Sequence, residues 1–223
     1  MKNILLTFLL GTVMFLGLPW IAWGIVDLDL FFANPSRFAF TVFVILLNLF
    51  ASIRLPEVGK EKPREKTVVA RQNIAVVLMQ VLSILLVVVA PWSDKHDVGV
   101  FSQSGWIRWT GLALYAAGYL IMHFTEAYLG TQFSVKVALQ EGHRLVTTGP
   151  YAVIRHPRYL GVLIFLTGIS LVFRSWAGLI GVAGMVAVIT WRIVDEEAMM
   201  KEEFGAAWDD YAGRTRRMIP GVL

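Results

Sequence analysis

Long apolar runs constrain this chain more than any other feature of its sequence. A helix needs roughly 20 residues to cross the hydrocarbon core of a bilayer, and an unpaired backbone is intolerable in lipid. The sequence therefore predicts an all-α integral membrane protein with about six membrane helices, the last two forming a tight helical hairpin. The candidate spans are about Ile4–Ile25, Arg37–Ile53, Gln72–Trp92, Gly105–Phe124, Tyr159–Phe173 and Trp176–Val194.

Composition agrees with this fold class. Hydrophobic residues make up 57% of the 223 residues and charged residues 16%, which is outside the usual balance of a soluble domain. The sequence contains no cysteine, which excludes disulfides, thiolate metal sites and a cysteine nucleophile. The first apolar run is too long for the core of a secretory signal, so we expect it to be a retained span.

The basic residues predict the orientation in the membrane. They are concentrated in alternate connections, after the second span, after the fourth span and in the tail, so the net charge of +4 reflects topology rather than a nucleic-acid partner. We therefore expect a multi-pass protein of the cell inner or plasma membrane, or an equivalent membrane. Both termini and the polar segment described next are expected to be cytoplasmic.

Two features near the C-terminus predict how the last helices are arranged. Only Arg174 and Ser175 separate the last two spans, and the row Gly178, Gly181, Gly184 and Ala187 on the second of them predicts close helix packing. The charged stretch from Asp195 to Tyr211 is expected to continue the last helix out of the membrane and to turn at Gly205.

A polar, turn-rich segment over residues 145–161 is the first candidate site. Proline is favoured at the first position of a helix, so Pro157 predicts a helix start with Arg155 and His156 at its N-terminus. Free backbone N–H groups beside these cations favour a carboxylate or phosphate. The alternative is that Arg155 and Arg158 only anchor the interface and that His156 is a passive cap.

A second charged cluster lies at the end of the last span. Arg192 and Glu196 share a helix face, followed by Glu197. Because the hairpin returns the chain to its starting side, this cluster is predicted to lie near Arg155. The alternative is an ordinary solvated helix end.

His123 and Glu126 form a third candidate at the end of the fourth span. Their spacing places both on one side of a helix, as in some metal-binding bundles. The sequence has no second such pair, so a hydrogen bond is favoured over a metal site.

Three ordered motifs resemble the isoprenylcysteine carboxyl methyltransferase (ICMT)-like family of integral membrane methyltransferases. They are Leu145-Val146-x-x-Gly149-Pro150-Tyr151-x-x-x-Arg155-His156-Pro157-x-Tyr159-x-Gly161, Arg192-x-x-x-Glu196-Glu197 and Phe204-Gly205-x-x-Trp208-x-x-Tyr211. The apolar runs predict a single membrane domain (residues 1–223) with four N-terminal spans in residues 1–124, and the resemblance covers the chain after them. The resemblance implies a catalytic region in residues 125–223 that encloses S-adenosyl-L-methionine (SAM) and opens to the cytosol.

The resemblance also implies roles for individual residues. Arg155, Glu196 and Glu197 are the expected catalytic residues, with Arg155 holding an acceptor carboxylate and Glu197 positioning it or accepting a proton from a thiol or amine. The helix start with His156 suits the carboxylate of SAM, and Glu196 or Glu197 suits its amine or ribose. The expected cofactor-binding residues are Leu145, Val146, Gly149, Tyr151, His156, Pro157, Tyr159, Arg192 and Glu196.

The methyl acceptor stays open at the level of sequence. A lipophilic or small-molecule acceptor that reaches the site from the membrane lipids fits the resemblance, and phospholipid or thiol methyltransferases remain alternatives. A membrane reductase of the related sterol-reductase type is a further alternative, with Arg214, Arg216 and Arg217 available for the extra phosphate of NADPH. A transporter is disfavoured because the span interiors contain few ionisable residues.

Overall fold

The computed structural model describes residues 2–54, 65–68, 72–101, 104–130, 138–140 and 144–219, and these are almost entirely helical. The all-α prediction is confirmed, with one addition. Two short strands, β1 (Glu65–Val68) and β2 (Ala138–Gln140), pair antiparallel and join the connection after α4 to the connection after α6. The helices are α1 (Lys2–Thr12), α2 (Leu18–Trp23), α3 (Leu28–Phe32), α4 (Pro35–Arg54), α5 (Gln72–His96), α6 (Gly105–Leu129), α7 (Pro157–Val172), α8 (Trp176–Phe204) and α9 (Ala206–Arg214).

The lengths of these helices test the predicted spans in part. Among the described residues, three helices are both long and apolar enough to cross a bilayer, namely Pro35–Ile53, Gln72–His96 and Trp176–Phe204. The chain bends sharply at the end of the first predicted span, where Phe8–Trp23 and Ile25–Phe32 meet at 88°; together these two segments make at most one further span. α6 has 25 residues and α7 has 16. Six membrane helices therefore stay a prediction.

Part of the orientation signal lies outside the described residues. The basic residues Lys60, Lys62, Arg64, Arg71 and Lys136, on which the predicted topology depends, are among those the structure does not describe.

The closest helix contact joins α6 to α7. A Cβ atom at Gly118 would lie 2.4 Å from the backbone nitrogen of Phe165, and one at Gly168 would lie 2.3 Å from the backbone nitrogen of Tyr115. Glycine therefore lets the two backbones touch. The predicted row on α8 behaves differently, since only Gly178 is close to its neighbour, the side chain of Ser170. Gly181 and Gly184 make ordinary contacts with leucines of α5.

The hairpin of α7 and α8 is confirmed and is held at its turn by buried charges. Arg174 lies between the helices with a positive φ of 53°, a conformation that costs energy outside glycine. Its guanidinium binds Asp94, which is fully buried and also accepts hydrogen bonds from Arg37 and Arg108. We name Arg37, Asp94, Arg108 and Arg174 the Asp94 cluster; it fastens α4, α5, α6 and the hairpin turn at one end of the bundle.

Candidate active site

The polar segment after α6 is shaped by local signals that the sequence reveals. Gly149 has a positive φ of 58° and opens a short 3-10 helix over Gly149–Ala152. A Cβ atom at Gly149 would also lie 2.4 Å from the ring of Tyr128, but that side chain is exposed and can move, so the positive φ is the reason that the turn favours glycine. Pro157 occupies the first turn of α7 and His156 is the N-cap residue, as predicted.

The chain after α9 folds back onto this segment. The backbone N–H of Arg155 donates to the carbonyl of Arg216 at 2.7 Å, and that of His156 donates to the carbonyl of Arg217 at 2.9 Å. The Tyr211 hydroxyl donates to the Tyr151 carbonyl at 2.8 Å. Burial raises the pKa of Tyr211 to about 12, so this phenol keeps its proton at neutral pH. The hydrogen bond from Tyr211 to Tyr151 therefore joins the third sequence motif to the first.

Glu197 binds two arginines and faces a histidine. Its Oε1 accepts a hydrogen bond from Arg155 Nε at 2.9 Å and lies 3.3 Å from His156 Nε2, and its Oε2 accepts from Arg217 Nε at 3.0 Å. The predicted meeting of Glu197 with Arg155 across the hairpin is confirmed. We name Arg155, His156, Glu197 and Arg217 the Glu197 cluster.

Arg155 is held at more than one point. Its Nη1 donates to the carbonyls of Ala212 at 2.9 Å and Thr215 at 2.7 Å, in the segment where α9 ends. The side chain of Arg155 is only 10% exposed. These contacts make Arg155 a clamp between α8 and the C-terminal tail, while its predicted contact with an acceptor stays a prediction.

Tyr159 links the other two predicted charges. Arg192 Nε donates to the Tyr159 hydroxyl at 2.6 Å, and that hydroxyl donates to Glu196 Oε2 at 2.7 Å. The phenol of Tyr159 therefore bridges Arg192 and Glu196. The ring of Tyr159 also stacks on the ring of His156, with centroids 5.6 Å apart, so the first and second motifs form one continuous polar site.

Three further predicted residues, Leu145, Val146 and Tyr151, belong to the first motif. Leu145 and Val146 are partly buried and form no backbone hydrogen bond with another residue that the structure describes. Tyr151 is buried, and burial together with the charge of Glu196 raises the pKa of its phenol.

Arg158 belongs to a separate polar group that joins α7 to α6. Its Nε donates to Glu126 Oε1 at 2.6 Å, and Glu126 Oε2 lies 3.2 Å from His123 Nδ1. The contact between His123 and Glu126 was expected from their spacing, but the arginine that completes the group was not.

An apolar cavity of about 480 Å³ adjoins the polar site. It is bounded by α5, α6, α7, α8 and the helical segment after α1, with Met79, Phe165 and Leu166 among its walls. Arg158, Tyr159 and Arg192 lie at its polar end. Its volume falls in the roughly 300–1,000 Å³ range of small-molecule sites.

Sequence reasoning missed the contributions from distant segments. Arg217 was explained by topology, although it binds Glu197. Gln72, at the start of α5, is fully buried and donates a short hydrogen bond to Asp195 beside Glu196. In the sequence, Gln72 is only a polar residue at the start of an apolar run, and this position does not reveal its partner.

Comparisons with known proteins agree with the motifs. A family model described as "Phospholipid methyltransferase" matches residues 106–207. Protein-S-isoprenylcysteine O-methyltransferase B of Arabidopsis thaliana is 32% identical over 127 residues, which cover 54% of this chain and 62% of that protein. Protein-S-isoprenylcysteine O-methyltransferase of Schizosaccharomyces pombe is 31% identical over 98 residues, which cover 41% of this chain and 40% of that protein. The chain therefore spans less than two thirds of these curated relatives.

Among solved structures, that of the eukaryotic intramembrane Ras methyltransferase ICMT is similar, with a TM-score of 0.49 and 16% identity over 97% of this chain and 98% of that one. The fold and site define a helical membrane protein with a polar site beside an apolar cavity. The sequence matches confirm that the C-terminal half resembles the ICMT-like family of integral membrane methyltransferases.

Proposed function

We propose that this protein is a SAM-dependent methyltransferase that methylates the carboxylate of a lipophilic acceptor at the membrane. The observation that carries the proposal is the convergence of all three motifs on one polar site that opens onto an apolar cavity. The isoprenylcysteine methyltransferases among the relatives support the reaction type, and an isoprenylcysteine-like acid has the required apolar tail and carboxylate.

The residues at the site fit SAM. The backbones of Leu145, Val146 and Gly149 would hold the edge of the adenine. The carboxylate of Glu196 suits the amine or the ribose hydroxyls. Tyr151, His156, Pro157, Tyr159 and Arg192 would complete the binding site.

The protein's own contribution to such a reaction is alignment and exclusion of water. When bound, SAM supplies a methyl group on a sulfonium, which a carboxylate oxygen accepts in a direct displacement that forms a C–O bond, breaks the C–S bond and moves no proton. Glu197 fixes Arg155 and thereby closes the C-terminal tail over the motif. Tyr159 holds Glu196 and Arg192 in one arrangement.

The contacts of the basic tail favour the methyltransferase over the reductase alternative. Arg217 binds Glu197, and Arg214 forms an exposed pair with Asp210 at 3.1 Å. Two of the three arginines considered for the phosphate of NADPH thus have carboxylate partners.

Calorimetric titration of the detergent-purified full chain tests the proposal. We expect a binding heat with SAM and none with NADPH. Glu196→Gln should weaken SAM binding about tenfold, because a charged hydrogen bond to the amine or ribose becomes neutral. Glu202→Gln, which changes an exposed carboxylate on the same helix, serves as the control and should leave SAM binding unchanged. A folded wild-type protein that does not bind SAM would contradict the proposal.

A further inference from the structure

α5 has a polar face within an otherwise apolar span. The helix is 25 residues long and apolar enough to cross a bilayer. Gln80 and Ser83 are three positions apart on it, so their side chains share one side of the helix, and both line the cavity. α5 precedes all three sequence motifs, so this polar face is separate from the site that the motifs form.

The side chains of Gln80 and Ser83 make no hydrogen bond to the part of the chain that the structure describes. Other hydroxyls in the apolar helices behave differently, since those of Thr167, Ser170 and Thr190 donate to the carbonyl four residues earlier. An amide or hydroxyl in apolar surroundings costs free energy unless it finds a hydrogen-bond partner. Both side chains can donate and accept hydrogen bonds. Gln80 and Ser83 are therefore suited to a polar group that a ligand brings into the cavity.

The packing of α5 against α8 gives the depth of this pair. The two helices run antiparallel, because Gln72 binds Asp195, whereas Leu82 lies beside Gly184. Arg192, at the polar end of the cavity, is thus level with a residue about three positions after Gln72. At about 1.5 Å per residue, Gln80 lies about 8 Å and Ser83 about 12 Å deeper than Arg192. A ligand with its headgroup at the polar end therefore meets these two side chains with the middle of its chain.

We propose that Gln80 and Ser83 form a hydrogen-bonding subsite that selects a methyl acceptor with a hydroxyl or carbonyl oxygen partway along its chain. In the hydrocarbon of a bilayer such an oxygen has no partner, so the subsite favours its transfer from lipid into the cavity. The inference rests on the proposed methyltransferase function and deepens it, because it names oxygen-bearing chains, rather than plain hydrocarbon chains, as the substrate class. Gln80 and Ser83 are then specificity-determining residues.

Binding of three probes to the full chain in detergent tests the inference. The probes are dodecanoic acid and its two analogues with a hydroxyl on the third or the eighth carbon, so they share headgroup and chain length. Each analogue's dissociation constant is divided by that of dodecanoic acid, and the comparison of this ratio between wild type and variants cancels partition into the micelle. We expect Gln80→Met combined with Ser83→Ala to weaken binding of the eighth-carbon analogue about tenfold, because its hydrogen bonds are lost. The other two probes should stay within about twofold.

Single variants and a matched control complete the test. Gln80→Met and Ser83→Ala should each give part of the effect, which keeps the test decisive where the double variant does not fold. Met79→Leu changes another cavity-lining residue of α5 without altering its hydrogen bonding and should leave all ratios unchanged.

An eighth-carbon ratio that is the same in the wild type and the variants would overturn the inference. An equal loss of all three probes would also overturn it, because it indicates damage to the cavity rather than selection, and so would a wild-type protein that binds none of them. Failure of the proposed function is distinguishable, because it appears as absent SAM binding while the probes are compared without SAM.

Discussion

Glu197 is a carboxylate with a 13% exposed side chain that contacts two arginines and a histidine from two separate segments. Arg155 and His156 precede α7, and Arg217 follows α9, so the charge of Glu197 holds both segments against α8. A hydrogen bond to a charged group typically contributes about 1.5–3 kcal/mol.

We expect Glu197→Gln to destabilise the protein by about 2 kcal/mol, because an amide offers the arginines a weaker, uncharged acceptor. Methyl transfer should fall about 100-fold, as a small misplacement of aligning groups has a large effect on rate. Thermal unfolding in detergent and turnover with SAM measure the two effects. The exposed Glu202→Gln on the same helix is the control; equal losses in both variants would argue against a special role for Glu197.

At the scale of helices, contact between α6 and α7 positions the motif that begins α7. Gly118 and Gly168 let the two backbones meet, and this contact also sets the distance between Glu126 on α6 and Arg158 on α7.

We expect Gly118→Ala to lower the unfolding temperature, since its Cβ would lie 2.4 Å from a backbone nitrogen that cannot rotate away. Overpacking of this kind typically costs about 1–3 kcal/mol. Gly184→Ala is the matched control, because its nearest neighbour would be a leucine side-chain atom at 3.8 Å. Alanine there should be neutral or stabilising, since it favours helix more than glycine does. Thermal denaturation of the two variants measures the difference. Similar decreases in unfolding temperature would show that the α6–α7 contact is no tighter than the contact of α8 with α5.

The same elements show why some features follow from sequence and others do not. The start of α7 at Pro157, the turn at Gly205 and the hairpin at Arg174 depend on local signals, and each was predicted. The contact between Arg155 and Glu197 followed from the short hairpin. The Asp94 cluster did not, because its arginines lie far apart in sequence and each resembles an ordinary interfacial cation. The small-residue row on α8 was visible, but the sequence does not reveal which helix meets which glycine.

For the whole molecule, the Asp94 cluster and the Glu197 cluster lie at opposite ends of α5 and α8. α5 begins at Gln72, which binds Asp195 near the Glu197 cluster, and it reaches Asp94 near its other end. α8 begins beside Arg174 and contains Glu197 in its last third. With 29 residues at 1.5 Å each, α8 is about 44 Å long, which is more than the hydrocarbon core requires. We therefore expect the proposed site to lie beyond one face of the membrane and the Asp94 cluster to lie toward the other.

The basic connections predict that the face with the Glu197 cluster is cytosolic. The chain contains no cysteine, so single cysteines report on sidedness without any background. Val98 is 53% exposed beyond the Asp94 end of α5, and the Lys201 side chain is 63% exposed near the end of α8. In intact cells, a membrane-impermeant maleimide should label Val98→Cys and leave Lys201→Cys unlabelled. Both should react after detergent is added, which controls for accessibility. The reverse pattern would place the site outside the cytosol and contradict the topology on which the proposed function depends.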